Sequence, residues 1–121
     1  MRRSLILLPF VLVAAAACAS GSIRELRDRE WKMVSVEGFA AMPAGIATPT
    51  VRFDTDGRFS GNTGCNSAGA AYTAERDTLH IRTLLVTKRA CLDPEGNRLE
   101  RAYMEAIGKT RRFRIENDRL E

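Results

Sequence analysis

The eight residues from Phe59 to Asn66 constrain the fold more than any other part of the sequence. They read Phe-Ser-Gly-Asn-Thr-Gly-Cys-Asn, the end of a strand that runs into two glycines and two asparagines. Glycine and asparagine tolerate positive φ angles, so the chain can change direction sharply here. The cysteine inside this corner, Cys65, suggests a pinned bend, and Cys91 is the partner that would pin it.

The first 17 residues read as a secretory signal peptide. Arg2 and Arg3 supply the positive charge, and the apolar run from Leu5 to Ala17 follows them. That run has 13 residues, which is too short to span a hydrocarbon core of about 30 Å as a helix. The sequence therefore predicts export from the cytoplasm.

Cys18 follows a run of alanines and resembles the lipidated cysteine of a bacterial lipobox. We expect acyl chains such as palmitate on Cys18, a tether over residues 18–29 and a folded domain over residues 30–121. Several acyl chains hold a protein at a membrane far better than one, and Ala19 resembles the default for sorting to the outer membrane, facing the periplasm. The alternative is cleavage near Ala15–Ala17, which would release a soluble periplasmic protein.

Short alternating segments predict an antiparallel sheet. Thr50 to Ser60 reads as a hairpin that turns at Asp56-Gly57, and Ala71 to Arg82 reads as a second one. Trp31 to Val36 is an earlier strand, and the charge-rich segment from Ile23 to Glu30 is expected to be a solvated lead-in.

One helix is predicted in the C-terminal half. Asp93 suits its N-cap, Pro94 its first turn and Gly108 a left-handed stop. Its apolar stripe consists of Leu99, Ala102, Tyr103, Ala106 and Ile107. The predicted class is therefore α+β, a small antiparallel β-barrel-like sheet of six or seven short strands with one C-terminal-half helix.

The corner and the segment that would pin it carry a distinctive motif. Its residues are Phe59, Ser60, Gly61, Gly64, Cys65, Asn66, Thr87 and Cys91. The motif resembles that of the META domain, whose bacterial members include the HslJ-like heat-shock lipoproteins, over roughly Glu30 to Leu120. The resemblance implies a small β-barrel-like fold, an envelope location and a link to stress or antibiotic tolerance, and it implies no defined reaction. Members usually continue past the position of Leu120, so we expect the last strand here to be short and to fray.

Cys65 and Cys91 are predicted to form a structural disulfide. Export places both thiols in an oxidising compartment, and lipid occupies Cys18, so two cysteines remain in the mature chain. The alternatives are a redox-active pair and two thiols that pack as small hydrophobic groups.

The sequence contains no evident catalytic or metal-binding constellation. His80 falls on the polar face of a strand, and a metal site would need three or four suitably spaced ligands, so we interpret His80 as a surface residue. Ser60, Ser67 and Asp77 lack the spacing of a nucleophile elbow around that histidine. We therefore expect neither enzyme activity nor a cofactor.

The charge balance argues against a nucleic-acid partner. The net charge of +4 falls to +2 without Arg2 and Arg3, and no motif combines aromatic and basic residues. The basic run from Lys109 to Arg114 reads either as a contact for anionic headgroups or glycans or as a solvated strand edge. We expect a non-enzymatic envelope lipoprotein that binds or stabilises an unknown envelope protein; the alternative is a carrier of a small apolar ligand.

Overall fold

The computed structural model describes residues 22–121, so the predicted signal peptide and Cys18 lie outside the described residues. One meandering antiparallel sheet contains β1 (Glu30–Lys32), β2 (Thr50–Phe53), β3 (Arg58–Asn62), β4 (Ser67–Glu75) and β5 (Thr78–Val86). The remaining elements are α1 (Ile23–Leu26), α2 (Pro94–Lys109) and the hairpin of β6 (Ile115–Glu116) with β7 (Arg119–Leu120). No helix within these residues is both long and apolar enough to cross a bilayer.

The α+β class is confirmed, but the sheet does not close into a barrel within residues 22–121. Its strands follow chain order, so β1 and β5 are its two edges, and β6 and β7 form a separate sheet. A single bridge between Thr78 and Arg112 links the start of β5 to the segment after α2. Alternating patterns predict strands, whereas closure depends on pairing between segments far apart in sequence.

Both predicted hairpins are present. The first turns through Gly57 at φ +83°, and the second through Arg76 at φ +55°. The expected short final strand is also present, because Leu120 pairs with Ile115 across a two-residue turn. We predict that this strand frays, so that the amides of residues 119–121 exchange close to the unfolded rate.

The prediction that Ile23 to Glu30 forms a solvated lead-in is wrong. Ser22 and Glu25 form a reciprocal capping box that starts α1. Leu26 is 0 % exposed, and its carbonyl accepts a hydrogen bond from Trp31 Nε1 at 3.0 Å. The charged residues of this segment surround an apolar side chain that belongs to the core.

The strand predicted from Trp31 to Val36 is also shorter than expected, because β1 ends at Lys32. The Met33 N–H still donates to the Pro49 carbonyl at 2.9 Å. Proline has no N–H to return the second bond of an antiparallel pair, so the ladder between β1 and β2 stops there.

Helix α2 begins as predicted and ends differently. The Asp93 carboxylate caps it by accepting the Glu95 N–H at 2.8 Å. Gly108 lies inside the helix rather than at a left-handed stop. Thr110 supplies a hydrogen-bond donor for a carbonyl in the last turn of α2: its hydroxyl donates to the Ala106 carbonyl at 2.8 Å.

The buried stripe of α2 packs on the inner face of the sheet, and Tyr103 contacts β2 directly. It is fully buried, and its hydroxyl donates to the Thr50 carbonyl at 2.9 Å. Burial raises the pKa of Tyr103, so the hydroxyl remains a donor. A Cβ atom at Gly61 would overlap both the tyrosine oxygen and the Thr50 carbonyl. Glycine at this position therefore allows the helix to approach the sheet.

We expect Gly61→Ala to destabilise the fold by about 3 kcal/mol, because the added methyl group displaces Tyr103 or the β2 backbone. Gly69→Ala is the matched control, since the nearest atom to its Cβ would be the Phe59 carbonyl oxygen at 3.9 Å. The control should stay within about 0.5 kcal/mol of the parent chain in urea unfolding. Equal losses for the two variants would contradict the close approach.

Candidate functional site

We call residues 59–66 the glycine corner. Side-chain hydrogen bonds fix its turn. The side-chain oxygen Oδ1 of Asn62 accepts the Gly64 N–H at 2.7 Å. The Thr63 hydroxyl oxygen accepts the N–H groups of Cys65 at 3.3 Å and Asn66 at 2.9 Å. Gly64 has φ +95°, a conformation that L side chains rarely adopt. These hydrogen bonds therefore hold the backbone of the corner in one defined conformation.

Asn66 connects the corner to the segment that follows β5. The residue is 4 % exposed, and its Nδ2 group donates to the Arg89 carbonyl at 2.9 Å and to Glu100 Oε1 at 2.8 Å. Its Oδ1 atom accepts from the Arg89 N–H at 2.8 Å and the Thr87 hydroxyl at 3.0 Å. Both donors and both acceptor sites of the amide are used.

Glu100 attaches α2 to the same corner. Its Oε1 atom also accepts a hydrogen bond from the fully buried Thr63 hydroxyl at 2.9 Å. We call Thr63, Asn66, Thr87 and Glu100 the corner network. Every buried side-chain nitrogen and oxygen in residues 22–121 has a hydrogen-bond partner, so the network is fully satisfied.

The structure contains the predicted disulfide between Cys65 and Cys91, whose Cα atoms are 5.7 Å apart. It joins the corner to the segment before α2 and lies beside the Asn66 hydrogen bonds. Covalent and hydrogen-bonded links therefore hold the same two segments together.

The predicted motif residues have different roles in the structure. Phe59 is buried and packs on Phe53 with ring centroids 5.3 Å apart. Gly61 contacts the helix, and Gly64, Asn66 and Thr87 shape or join the corner network. Ser60 is half-buried in β3, opposite Arg52 and Gly69.

Sequence reasoning missed Thr63 and Glu100. Thr63 lies between the two glycines, where a hydroxyl that binds the backbone is a local turn signal. Glu100 follows Leu99 at the border of the apolar stripe and binds Asn66 across 34 positions. No local pattern pairs residues so far apart.

The structure does not bring the conceivable hydrolase residues together. Ser67 starts β4, whereas His80 pairs with Thr73, six positions further along that strand and therefore about 20 Å away. The Asp77 carboxylate pairs instead with Arg112 at 3.5 Å. His80 is exposed, as expected for a surface residue.

A cleft of about 580 Å³ lies at the other end of α2. Residues 31–37 form one wall, residues 118–121 form the other, and Val51 and Ile107 also line it. We call it the edge cleft. The ion pair between Arg29 and Asp118, at 3.5 Å, links its two sides.

The β1 wall presents unpaired backbone groups. The Met33 N–H points toward β2, where it donates to the Pro49 carbonyl. Because hydrogen-bonded positions alternate along an antiparallel strand, the Lys32 N–H points away from β2. The Val34 N–H, two residues further on, has no backbone hydrogen-bond partner within residues 22–121. Within residues 22–121, β1 pairs with β2 alone.

The β7 wall of the cleft also presents unpaired backbone groups. Arg114 and Glu121 exchange both of their backbone hydrogen bonds, at 2.9 and 2.8 Å. The N–H and carbonyl of Leu120, one residue earlier, therefore point away from β6. Two strand edges thus border one apolar cleft.

Comparison with known proteins agrees with this architecture. The family model described as META domain matches residues 24–121, so the chain belongs to the META domain family; the HslJ-like resemblance is consistent with it. One similar protein solved by NMR has a TM-score of 0.65 at 20% identity, over 80% of this chain and 81% of that one. An NMR structure of a protein from Burkholderia xenovorans has a TM-score of 0.59 at 26% identity, over 78% and 70%. No curated protein matches the chain.

Thr63→Val should destabilise the protein by about 2 kcal/mol, because two backbone N–H groups and Glu100 lose their buried partner while the shape is kept. Thr73→Val is the control, since Thr73 is exposed on β4; we expect a change within about 0.5 kcal/mol. Denaturant unfolding of both variants measures the difference. A Thr63 variant as stable as the parent would contradict the role of the network.

Reduction of the disulfide should lower stability without unfolding the domain. On the chain-entropy model, closing a loop of 26 residues contributes about 3.5 kcal/mol. Thiol titration in denaturant without reductant should detect no free thiol at Cys65 or Cys91. Two reactive thiols, or a melting temperature that reduction does not change, would contradict this account.

Proposed function

We propose that this chain is a non-enzymatic lipoprotein of the bacterial envelope whose META domain binds an extended segment of a partner protein in the edge cleft. Lipid on Cys18 anchors it to the outer membrane on the periplasmic side. The observation that carries the proposal is that two strand edges border one apolar cleft. The family resemblance supports a role in stress or antibiotic tolerance.

Strand addition is the binding mode that matches these walls. Unpaired N–H and carbonyl groups on a strand edge are a ready template for an incoming extended segment. Lys32 and Val34 offer such groups on one wall, and Leu120 offers them on the other. A segment lying between β1 and β7 would hydrogen-bond to both.

The lining of the cleft defines the chemistry of the partner. Trp31, Val51, Ile107 and Leu120 line it with apolar atoms, and successive side chains of an extended segment point to opposite faces. The bound segment therefore has apolar side chains at every second position, facing α2, and polar side chains between them.

A second candidate is a carrier of a small apolar ligand. The volume of about 580 Å³ lies within the range typical of ligand pockets, and the same apolar residues favour it. Such a ligand would not use the backbone groups of Lys32, Val34 or Leu120, and this difference separates the two functions.

The test is an NMR titration of the mature chain with a capped heptapeptide of alternating threonine and valine. The matched probe is the same peptide N-methylated at every valine. We expect saturable shifts of the Lys32, Val34 and Leu120 amides with the first peptide and none with the second. Val34→Pro, which removes one edge N–H, should weaken binding about tenfold, whereas Val34→Ala should not.

Equal binding of both peptides, or no binding of either, would overturn strand addition. The carrier is tested by melting the protein with decanoate and with hydrophobic antibiotics. A ligand present at 100 times its Kd adds about 2.7 kcal/mol. A protein that decanoate or an antibiotic stabilises, and that binds neither peptide, is therefore a carrier.

Mass spectrometry of the mature N-terminus tests the anchor. We expect a chain that starts at Cys18 and carries a diacylglyceryl group and an N-acyl chain. Cys18→Ser is the control, and it should abolish both the added mass and membrane retention. An unmodified mature terminus would make the protein soluble in the periplasm and contradict the anchor, leaving the edge cleft unaffected.

A further inference from the structure

The disulfide lies against the second carboxylate oxygen of Glu100, Oε2, which the hydrogen bonds of the corner network do not use. The sulfur atoms of Cys65 and Cys91 and a carboxylate oxygen of Glu100 all lie within 4.8 Å of one another. All three residues are half-buried. Among residues 22–121, no lysine, arginine or histidine forms an ion pair with Glu100.

The Glu100 carboxylate is oriented before any ion arrives. Its Oε1 atom accepts from the Thr63 hydroxyl and from Asn66 Nδ2, at 2.9 and 2.8 Å. Its Oε2 atom is directed at the disulfide and lies 3.8 Å from Cys91 Sγ. Hydrogen bonds to one carboxylate oxygen, with the other oxygen directed at the site, are the arrangement that outer partners impose on metal ligands.

Hydrogen bonds as well as the sulfur–sulfur bond hold the backbone around the two cysteines. Asn66 bonds both the N–H and the carbonyl of Arg89, and the Thr63 N–H donates to the Asn66 carbonyl at 2.8 Å. These bonds hold the Cα atoms of the cysteines near their separation of 5.7 Å. Two sulfurs on a tetrahedral zinc ion are about 3.8 Å apart, a distance that side-chain rotation alone can reach at this separation.

We propose that the reduced protein binds a thiophilic divalent ion, with Zn²⁺ as the reference ion, through Cys65, Cys91 and Glu100. A dithiol reductant supplies two electrons and two protons, so the disulfide becomes two thiols while the reductant becomes a disulfide. Binding then releases both thiol protons as the two thiolates and the carboxylate ligate the ion. Three protein ligands leave the fourth tetrahedral position to water. The disulfide is thus the closed state of a metal site.

Cobalt titration of the full mature chain tests the proposal directly, because thiolate ligands give Co²⁺ a strong ultraviolet charge-transfer band. We expect one Co²⁺ per anaerobically reduced chain, displaced by Zn²⁺, and no band with the disulfide intact. Zn²⁺ should also raise the melting temperature of the reduced chain and leave that of the oxidised chain unchanged.

Glu100→Gln separates the folded site from two incidental thiols. Glutamine keeps an oxygen acceptor for Thr63 and Asn66 and removes the ligand, so affinity should fall about tenfold or more. Glu105→Gln, at an exposed position on the same helix, should leave affinity unchanged. Equal affinities for the two variants, absence of the thiolate band, or loss of tertiary structure on reduction would each overturn the proposal.

Discussion

One buried amide, the side chain of Asn66, is the interaction on which the rest of the structure depends. A buried amide is costly unless its hydrogen-bonding groups are paired. Here they pair with backbone and side-chain groups of the segment between β5 and α2 and with Glu100 of α2 itself. Aspartate would lack the two N–H donors and would place a second negative charge beside Glu100. The requirement for a neutral group that both donates and accepts explains why an asparagine ends the glycine corner.

The two ends of α2 consequently differ. At its first half, Glu100 is fixed to the corner network and the disulfide crosses nearby. In the middle, Tyr103 touches the sheet where Gly61 makes room. At the far end, Ile107 borders the edge cleft, where β1 stops early because Pro49 cannot return a hydrogen bond. A fold held firmly at one end leaves its unpaired strand edges together at the other, and this is where we propose that a partner segment binds.

Local signals in the sequence predicted local structure well. Asp56-Gly57 predicted a hairpin, and Asp93-Pro94 predicted the start of α2, because each depends on neighbouring residues alone. The segment before Trp31 misled us because its charges outnumber the one buried leucine, although Ser22 and Glu25 had the spacing of a capping box. The early end of β1 opposite Pro49, the role of Glu100 and the open sheet could not be predicted, because each depends on contacts between remote segments. For the candidate site, the sequence indicated the corner and the cysteine pair. It did not indicate that the Glu100 carboxylate lies beside the disulfide.

Native-state hydrogen exchange at Arg89 tests the central role of Asn66 most directly. Arg89 is exposed and lies outside every strand, yet its N–H donates to a buried amide oxygen. If the network holds the domain together, this amide exchanges only on global unfolding, with the same free energy as the core amide of Ile81. The neighbouring Ala90, also exposed and outside the strands, should exchange far faster. Arg89 and Ala90 amides that exchange equally fast would show that the corner opens independently of the fold, which contradicts the account.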